Sequence, residues 1–488
     1  MFSACPRFSR FLASAFLAGI SVWLSACQTV PKAVAPSATP QIAEKVRKHT
    51  RYSRMAEREL PEIEAAFGGV YHDAKAERMI ARIVGRMTAA APDHGITYSL
   101  TILNSPRVNA FALPGGYIFV TRGMLALADD SAELAGILGH EMGHIIANHG
   151  VKRARFEQAQ IERLRAAAGT LVDPEARASA LAESQRKVAA FSREQEVQAD
   201  KTGVSIEGRA GYDPYSSVRL LSTMEAFSRF ETRGATEKTE PDFLADHPNS
   251  PARSAAIRVN AARFGRTGVG ERGRDAYLDG IDGMLFGYPP QAGYVRGRQF
   301  LHPELGIGFT VPKGFILENN SDAVLAAGPD GVAIRFDSVD LTGNGSMSRY
   351  LRSGWVVGLD DGSVRSRTIN GLPAATGDAT TENWHFRITV IRSGDHIYRI
   401  LTAAPKDDRA LEAAARSTEA SFHALTWRER RQLKPLHLHI VTVKPGESVA
   451  DLARRMQGTD RPEGLFRLIN QLSDTERVKA GERVKLVY

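Results

Sequence analysis

The sequence predicts a multidomain α+β protein whose first part is mainly helical and whose second part is mainly β. Apolar residues recur at helical spacing in the first part, for example at Ile80, Ile83, Val84 and Met87. From Arg298 onward the pattern changes to short runs of β-branched and aromatic residues. A chain of 488 residues is long enough for two or three domains.

The clearest chemical signal is the apolar stretch ILGHEMGHII at residues 137–146, which holds the pattern H-E-x-x-H. On a helix, His140 and His144 lie on one face, one turn apart, and this spacing suits two ligands of a tetrahedral zinc ion. Glu141 projects beside them, where a carboxylate can take a proton from metal-bound water, whose pKa falls to about 7. The alternative is a buried helix with two histidines by coincidence; a chance match has a probability of roughly 2% in a chain of this composition.

The pattern also predicts the elements around this motif. We expect the motif helix to begin near Ser131, with Asp129 and Asp130 available for its N-cap. The other expected elements are a helix over 42–87, strands at 97–103, 109–113 and 117–121, and two polar helical pieces over 152–187.

A zinc site with two helix histidines needs a third protein ligand and an open position. The run FSREQEVQAD at residues 191–200 offers carboxylates on a second predicted helix. Glu196 and Asp200 are four residues apart, so one can bind the metal while the other accepts a hydrogen bond from a ligand imidazole. Spacing alone does not decide between Glu194, Glu196 and Asp200. The alternative is a charged surface helix.

Several segments together resemble the zinc metallopeptidase family that includes HtpX, Oma and the CAAX prenyl proteases. They are NAFALPGG at 109–116, TRGM at 121–124, H-E-x-x-H itself, S-R-x-x-E-x-x-A-D-x-x-G at 192–203 and AGYDP at 210–214. The resemblance runs from about Glu64 to Phe264, which is under half of the chain. It implies a mainly helical zincin domain of the gluzincin type with a small β-sheet. We place this domain at residues 42–265.

The resemblance also implies roles for individual residues. On this match His140, His144 and Glu196 are the ligands of one Zn2+ ion per chain, and Glu141 is the general base of a zinc metalloendopeptidase. Asp200 corresponds to the partner of a ligand histidine in the second coordination shell.

Two further matches concern His247, Arg253 and Asn109. His247-Pro248 with Arg253 is similar to the H-P-x-x-x-x-R element of the family, where the histidine is implicated in control of the site and can approach the metal. In an active state His247 and Arg253 can instead stabilise the oxyanion; the alternative for His247 is a loop histidine that caps a helix starting near Ser250. Asn109 can bind substrate backbone along a cleft-edge strand, or it is simply a strand-end asparagine.

Departures from the family pattern are small. Phe191 stands where tyrosine is common, and Gln198 stands where glutamate is common. No apolar run after Leu24 reaches membrane-spanning length, unlike in HtpX and the prenyl proteases. The resemblance is therefore closest to the periplasmic branch that includes LoiP and BepA.

The N-terminus has the features of a secretory signal: Arg7 and Arg10, an apolar run over 11–24, and then LSAC. The last four residues resemble the lipobox of bacterial lipoproteins. We therefore expect a signal peptide over 1–26, an acylated Cys27 that anchors the chain to a membrane, and a flexible tether over 27–41. Gln28 favours the outer membrane, and the alternative is an uncleaved membrane anchor.

The second part of the chain divides into three predicted segments. Residues 266–297, rich in Gly and Arg near their start, predict a linker, and residues 298–430 predict a small α+β domain without a recognisable catalytic cluster. Residues 436–488 resemble a LysM module with βααβ order, through VTVKPGESV at 441–449, LIN at 468–470 and VKAGERVKL at 478–486. The LysM resemblance implies peptidoglycan binding through residues 440–488; the alternative is a LysM-like fold that has lost glycan binding and packs on its neighbours.

Charge and composition narrow the function further. The net charge is +8, and the basic residues are scattered without an aromatic-interleaved patch, so nothing indicates a nucleic-acid partner. We expect a lipid-anchored periplasmic zinc endopeptidase, on the inner face of the outer membrane, that cleaves misfolded or stalled envelope proteins. The alternatives are a glycan-tethered chaperone or scaffold with a latent zinc site, and a peptidoglycan hydrolase.

Overall fold

A computed structural model describes residues 51–92, 95–168, 174–232, 243–320, 322–340, 345–405 and 410–488. The described residues form three main parts: the helical region (residues 51–281), the sheet region (residues 294–432) and the βααβ region (residues 436–488). No helix among the described residues combines the length and the apolar character needed to cross a membrane. The signal peptide, Cys27 and the tether predicted from the sequence lie outside the described residues.

The helical region is built around one central helix. Its helices are α1 (Arg51–Ala66), α2 (Ala74–Ala90), α3 (Arg122–Leu127), α4 (Ser131–Ile146), α5 (His149–Ala168), α6 (Pro174–Arg209), α7 (Ser216–Thr232), α8 (Phe243–Asp246), α9 (Pro251–Ala261) and α10 (Arg274–Ile281). Helix α4 is apolar on nearly all sides, and its residues are buried from Ser131 to Gly143. Its N-cap is Asp130, whose side chain accepts a 2.8 Å hydrogen bond from the Glu133 backbone N–H.

Helices α4 and α6 approach closely because glycines stand at their contact. A methyl group at Gly143 would lie 2.7 Å from the backbone oxygen of Ala199, and one at Gly203 would lie 2.7 Å from the backbone nitrogen of His140. Neither position therefore has room for a side chain. This contact brings the two helices that carry the predicted ligands side by side.

A three-stranded sheet packs next to α4. Its strands are β1 (Ser99–Leu103), β2 (Ala110–Leu113) and β3 (Tyr117–Thr121), in the order β1-β3-β2. Strand β1 pairs parallel with β3, and β2 pairs antiparallel with β3. Strand β2 is thus an outer strand, and it packs against α4.

The sheet region contains two antiparallel sheets. One has the order β11-β12-β13-β14-β10-β9-β8, and the other has the order β15-β7-β6-β5. The strands are β5 (Tyr294–Arg296), β6 (Gln299–His302), β7 (Ile307–Thr310), β8 (Ile316–Asn319), β9 (Val324–Ala327), β10 (Ala333–Asp340), β11 (Arg365–Ile369), β12 (Leu372–Thr380), β13 (Trp384–Ser393), β14 (His396–Pro405) and β15 (His423–Ala424). Its helices are α11 (Met347–Leu351), α12 (Ala410–Ser421) and α13 (Trp427–Gln432).

The βααβ region shares its core with the helical region. It comprises β16 (Leu436–Thr442), α14 (Val449–Ala453), α15 (Pro462–Ile469) and β17 (Arg483–Val487), with β16 and β17 antiparallel. Strand β16 also pairs with β4 (Leu285–Phe286), which follows α10. One hydrophobic cluster contains residues of α2, α4 and α7 together with Leu438, Phe466 and Leu486.

The structure differs from the expectation of a linker over residues 266–297. This stretch contains α10, whose Tyr277, Leu278 and Ile281 are fully buried in the shared core. The Gly and Arg residues that suggested a linker flank α10, and its short apolar face was too brief to stand out by periodicity.

Candidate metal centre

The first two predicted ligands leave the same face of α4. His140 is 4% exposed, and its Nε2 lies 3.0 Å from His144 Nε2. The two rings are 4.6 Å apart, in an edge-on arrangement. Both Nε2 atoms therefore face one point between α4 and α6.

Helix α6 supplies the carboxylates. The Glu196 oxygens lie 3.4 Å from His140 Nε2 and 3.4 Å from His144 Nε2. Asp200, one turn later, lies 2.8 Å from His140 Nδ1. Glu194, the third candidate from the sequence, is exposed on the opposite face of α6. The close α4–α6 contact thus selects between candidates that spacing left open.

His247 completes the group of donors. It follows α8, and its Nδ1 lies 3.2 Å from His140 Nε2 and 3.1 Å from each Glu196 oxygen. Donor atoms of His140, His144, Glu196 and His247 all lie within 4.8 Å of one another. Among the described residues these four side chains form a candidate metal site.

The donor geometry fits zinc. A tetrahedral zinc ion with bonds of 2.0–2.2 Å separates its ligand atoms by about 3.3–3.6 Å. The distances of 3.0–3.4 Å within this group lie at or slightly below that spacing, and three imidazole nitrogens with one carboxylate oxygen are ligands zinc prefers. In this arrangement His247 stands where a fourth ligand would be.

Electrostatics favours a cation at the same point. Burial alone would lower the pKa of His140, but hydrogen bonds with Asp200 and Glu196 outweigh burial and raise that pKa to about 9. Burial would raise the pKa of Glu196, but its contacts with His140 and His247 hold that pKa well below its usual value. Burial and the neighbouring His140 and His247 lower the pKa of His144, so this ring is neutral and has a lone pair to offer.

Glu141 stands beside the donors without joining them. It is 1% exposed, its Oε1 lies 3.6 Å from His247 Nε2, and that oxygen has no hydrogen-bond partner within the described part of the chain. Burial raises the pKa of Glu141, which brings the carboxylate closer to the range useful for proton transfer near neutral pH.

Asp200 and Arg253 form a rigid support behind His140. Arg253 donates from Nε to one Asp200 oxygen at 2.6 Å and from Nη2 to the other at 2.9 Å, and from Nη1 to the His247 carbonyl oxygen at 2.9 Å. Because an ionised carboxylate only accepts, the His140 Nδ1–H donates to Asp200, so Nε2 is the nitrogen that a metal would bind in place of its proton. Arg253 thus holds both the partner of His140 and the backbone of His247.

His149, which the sequence reasoning did not single out, supports the other α4 ligand. Its Nδ1 lies 3.1 Å from His144 Nδ1, and its Nε2 lies 3.0 Å from Gln198 Oε1. If Nε2 donates to Gln198, the neutral ring accepts at Nδ1, and His144 must donate from its own Nδ1. Burial lowers the pKa of His149, which keeps the ring neutral. This chain of contacts leaves His144 Nε2 unprotonated and facing the donor group.

Asn109 lies just before β2 and is 1% exposed. Its backbone N–H donates to Thr121 Oγ1 at 3.1 Å, whereas its side-chain Oδ1 is buried with no hydrogen-bond partner among the described residues. The predicted contact with substrate backbone stays a prediction.

Two helix histidines, a glutamate on an adjacent helix and a carboxylate beside them define a zincin-type metal centre. Residues 72–261 match the family model described as Peptidase family M48. Residues 72–261 are therefore similar to the M48 peptidases, which confirms the resemblance expected from the sequence.

Relatives with this domain include mitochondrial and bacterial proteases. The mitochondrial metalloendopeptidase OMA1 of Schizosaccharomyces pombe is 29% identical over 178 residues, 36% of this chain and 51% of the relative. That of Arabidopsis thaliana is 32% identical over 193 residues, 37% of this chain and 38% of the relative. The beta-barrel assembly-enhancing protease of Escherichia coli K12 is 26% identical over 203 residues, 40% of each chain. The match spans about half the length of these relatives or less.

Proposed function

We propose that this protein is a zinc-dependent endopeptidase of the bacterial envelope. The observation that carries the proposal is the convergence of His140, His144 and Glu196 at zinc-ligand spacing, with the Glu141 carboxylate beside them; one oxygen of this carboxylate has no hydrogen-bond partner among the described residues. The M48 match over residues 72–261 supports the same assignment.

His140, His144 and Glu196 would hold the ion, and Asp200 and His149 would fix the tautomers of the two histidines. When bound, zinc lowers the pKa of a coordinated water to about 7 and polarises a carbonyl group. Glu141 accepts the proton of the attacking water and later delivers it to the leaving amine. A substrate strand can pair with the outer edge of β2, which packs on α4, so that its scissile bond runs along the metal helix.

The proposed substrates are misfolded or stalled envelope proteins. Support comes from the similarity to beta-barrel assembly-enhancing proteases and from the lipobox-like sequence that ends in Cys27. Acylation of Cys27 would place the protein at the membrane, with the outer membrane as the proposed location. Within the βααβ region, residues 444–446 and 473–477 are exposed in the two loops beside the β16–β17 pair, so a glycan could reach them.

A casein assay on the zinc-loaded chain without residues 1–27 tests this function. Glu141→Gln should lower kcat by about 10²–10⁴-fold because the proton acceptor is lost, while the bound zinc stays at one ion per chain. Glu133→Gln, a change of the same kind earlier on α4, is the matched control and should cleave casein. Cleavage by Glu141→Gln at the wild-type rate would contradict the mechanism, and absence of zinc from the wild type would contradict the site.

One observation favours a second function, that of a glycan-tethered scaffold or chaperone with a latent zinc site. His247 stands in the fourth position of the donor group, where it would compete with water. If the wild type binds unfolded casein and purified peptidoglycan but cleaves neither, the scaffold function is favoured. Release of soluble fragments from purified sacculi would instead indicate a peptidoglycan hydrolase.

A further inference from the structure

A cavity of about 530 Å3 lies where the helical region, the sheet region and the βααβ region meet. This volume is within the range typical of small-molecule sites. The cavity is separate from the metal donors, since none of His140, His144, Glu196 and His247 lines it. Each of the three regions contributes to its wall.

The floor of the cavity is a patch of small side chains on the seven-stranded sheet. Ala333 on β10 stands opposite Ala327 on β9 and opposite Ala403 on β14, so three methyl groups lie side by side across the sheet. The cavity exists at this point because none of these side chains is large enough to fill it.

The apolar part of the walls comes from the helical region, the βααβ region and strand β4. Phe230 of α7, Phe286 of β4 and the βααβ residues Leu436 and Leu465 face the cavity. A peptide would bring one amide donor and one carbonyl acceptor for each residue, and methyl groups and aromatic rings leave these groups without partners. An alkyl chain brings no such groups, so the lining favours a hydrocarbon over a peptide.

The polar part of the lining is predominantly cationic. Six arginines and three carboxylates line the cavity: Arg107, Arg122, Arg296, Arg298, Arg335, Arg461, Glu231, Glu318 and Asp460.

Arg296 is the arginine best suited to meet an anion in this cavity. Its Nη2 donates to the Lys434 carbonyl oxygen at 3.1 Å, and its guanidinium lies over the Tyr294 ring. No carboxylate of the described residues is within ion-pair distance of Arg296, and burial lowers its pKa. An anion in the cavity would supply the missing negative charge. The exposed Arg298, which also lines the cavity, would add a second positive charge that attracts the anion.

We propose that this cavity binds an amphipathic anion, with its hydrocarbon chain on the floor of Ala327, Ala333 and Ala403 and its carboxylate or phosphate group at Arg296. The ligand joins all three regions because each region supplies part of the wall. This site is independent of the proposed peptidase function, since no residue of the donor group takes part.

Isothermal titration calorimetry on protein from which any lipid bound in the cavity has been extracted tests the site. The three probes share a twelve-carbon chain: dodecanoate, dodecyl phosphate and dodecanol. We expect one saturable site per chain, with both anions binding about tenfold more tightly than the alcohol. The anion with the higher affinity identifies the headgroup class. Equal affinity for all three probes would overturn the role of Arg296, and absence of one-to-one binding would overturn the site.

Two variants of the floor, with one control, locate the binding of the hydrocarbon chain. Ala333→Phe and Ala327→Phe should each lower the affinity for dodecanoate about tenfold or more by filling the floor. The matched control is Ala424→Phe, another exposed strand alanine, outside the cavity, and it should bind as the wild type does. Thermal unfolding of each variant checks that it is folded.

Arg296→Gln should weaken binding of both anions about tenfold and leave dodecanol unchanged. Its control is Arg365→Gln, because Arg365 also donates to backbone carbonyls but lies outside the cavity. If Arg296→Gln, Ala333→Phe and Ala327→Phe each bind the anions as the wild type does, the proposal is overturned. If an apolar peptide with a free C-terminal carboxylate binds more tightly than dodecanoate does, the ligand of this cavity is a peptide and the proposed amphipathic anion with a hydrocarbon chain is wrong.

Discussion

At the scale of single residues, the state of the candidate metal centre depends on His247. Its Nδ1 is as close to Glu196 and His140 as a fourth zinc ligand would be, and its backbone carbonyl is held by Arg253. A site with three protein ligands and an open position can bind water and substrate, whereas a site with four protein ligands cannot. The peptidase activity of the unperturbed protein should therefore depend on the fraction of molecules in which His247 is away from this position.

We expect His247→Ala to cleave casein about tenfold faster than the wild type or more, because the apparent activity rises with the fraction of molecules whose fourth position is open. Initial rates on zinc-loaded protein measure this change. His72→Ala, which removes an exposed histidine of the helical region, is the control and should leave the rate unchanged. A wild type that is already fully active, with no gain in His247→Ala, would contradict a resting block by His247.

His149 gives a second prediction at this scale. His149→Phe removes the acceptor that fixes the tautomer of His144, and we expect zinc affinity to fall about 10–100-fold. Competition with a fluorescent zinc chelator measures this affinity without any peptidase assay. Gln198→Glu should increase zinc affinity, because a carboxylate is a stronger acceptor for the His149 N–H. If His149→Phe binds zinc as the wild type does, His149 has no positioning role.

Parts of the site were predictable from residues alone, and parts were not. The spacing of His140 and His144 indicates one face of a helix, and no folding information is needed for that inference. Spacing alone could not choose Glu196 over Glu194; the family resemblance indicated Glu196, and the orientation of α6 against α4 gives the physical reason. His149 could not be predicted by helical periodicity, because Asn148 adopts a left-handed conformation with φ of 54° and turns the chain between α4 and α5.

At the scale of secondary-structure elements, the α4–α6 contact sets the geometry of the site. Helix α4 carries two of the four donors and α6 carries one, and the separation of the helices is fixed by Gly143, Gly203 and Ala199. A larger side chain at this contact has to push the helices apart, because the atoms it would meet belong to the backbone.

Gly143→Ala should therefore lower the free energy of unfolding by about 1–3 kcal/mol and also weaken zinc binding. Thermal unfolding and zinc competition measure the two effects. Gly85→Ala is the matched control, since Gly85 lies in α2 with no atom near the added methyl group, and alanine there should stabilise the helix by up to about 1 kcal/mol. Normal stability and zinc affinity in Gly143→Ala would show that the contact can relax at no cost.

The elements were predicted unevenly. Alternation and β-rich composition correctly located β1, β2 and β3. The two expected helical pieces over 152–187 correspond to α5 and the first part of α6. Short strands such as β5, β8 and β9 were not predicted, because three or four residues carry too little alternation, and their pairing depends on partners distant in the sequence.

At the scale of the whole molecule, the βααβ region is part of the same folding unit as the metal helix. Its Leu438, Phe466 and Leu486 belong to the hydrophobic cluster that also contains α4. Lys485 of β17 is fully buried, and its Nζ donates to the carbonyl oxygens of Ala126 at 3.1 Å and Ala128 at 2.8 Å. These carbonyls end helix α3, just before the N-cap of α4, so Lys485 caps one helix and supports the start of the next.

The helical region and the βααβ region should therefore unfold as one unit. Lys485 should contribute to their free energy of unfolding, and this contribution should depend on pH. Lys485→Met leaves the α3 carbonyls without their donor and should lower the free energy of unfolding by about 3 kcal/mol or more at high pH. Burial lowers the pKa of Lys485 from 10.5 to about 8. Between pH 8 and pH 10.5 the unfolded chain therefore binds this proton more strongly than the folded chain does.

The advantage of the wild type over Lys485→Met should consequently grow from pH 8 to pH 10 and stay constant below pH 8. Chemical denaturation of both proteins across this range measures the difference, in which titrating groups that do not interact with Lys485 cancel. Lys479→Met, an exposed change in the loop before β17, is the control and should show no such trend. A constant difference across the range would mean that Lys485 keeps an ordinary pKa, and separate unfolding of the βααβ region in the wild type would contradict the shared core.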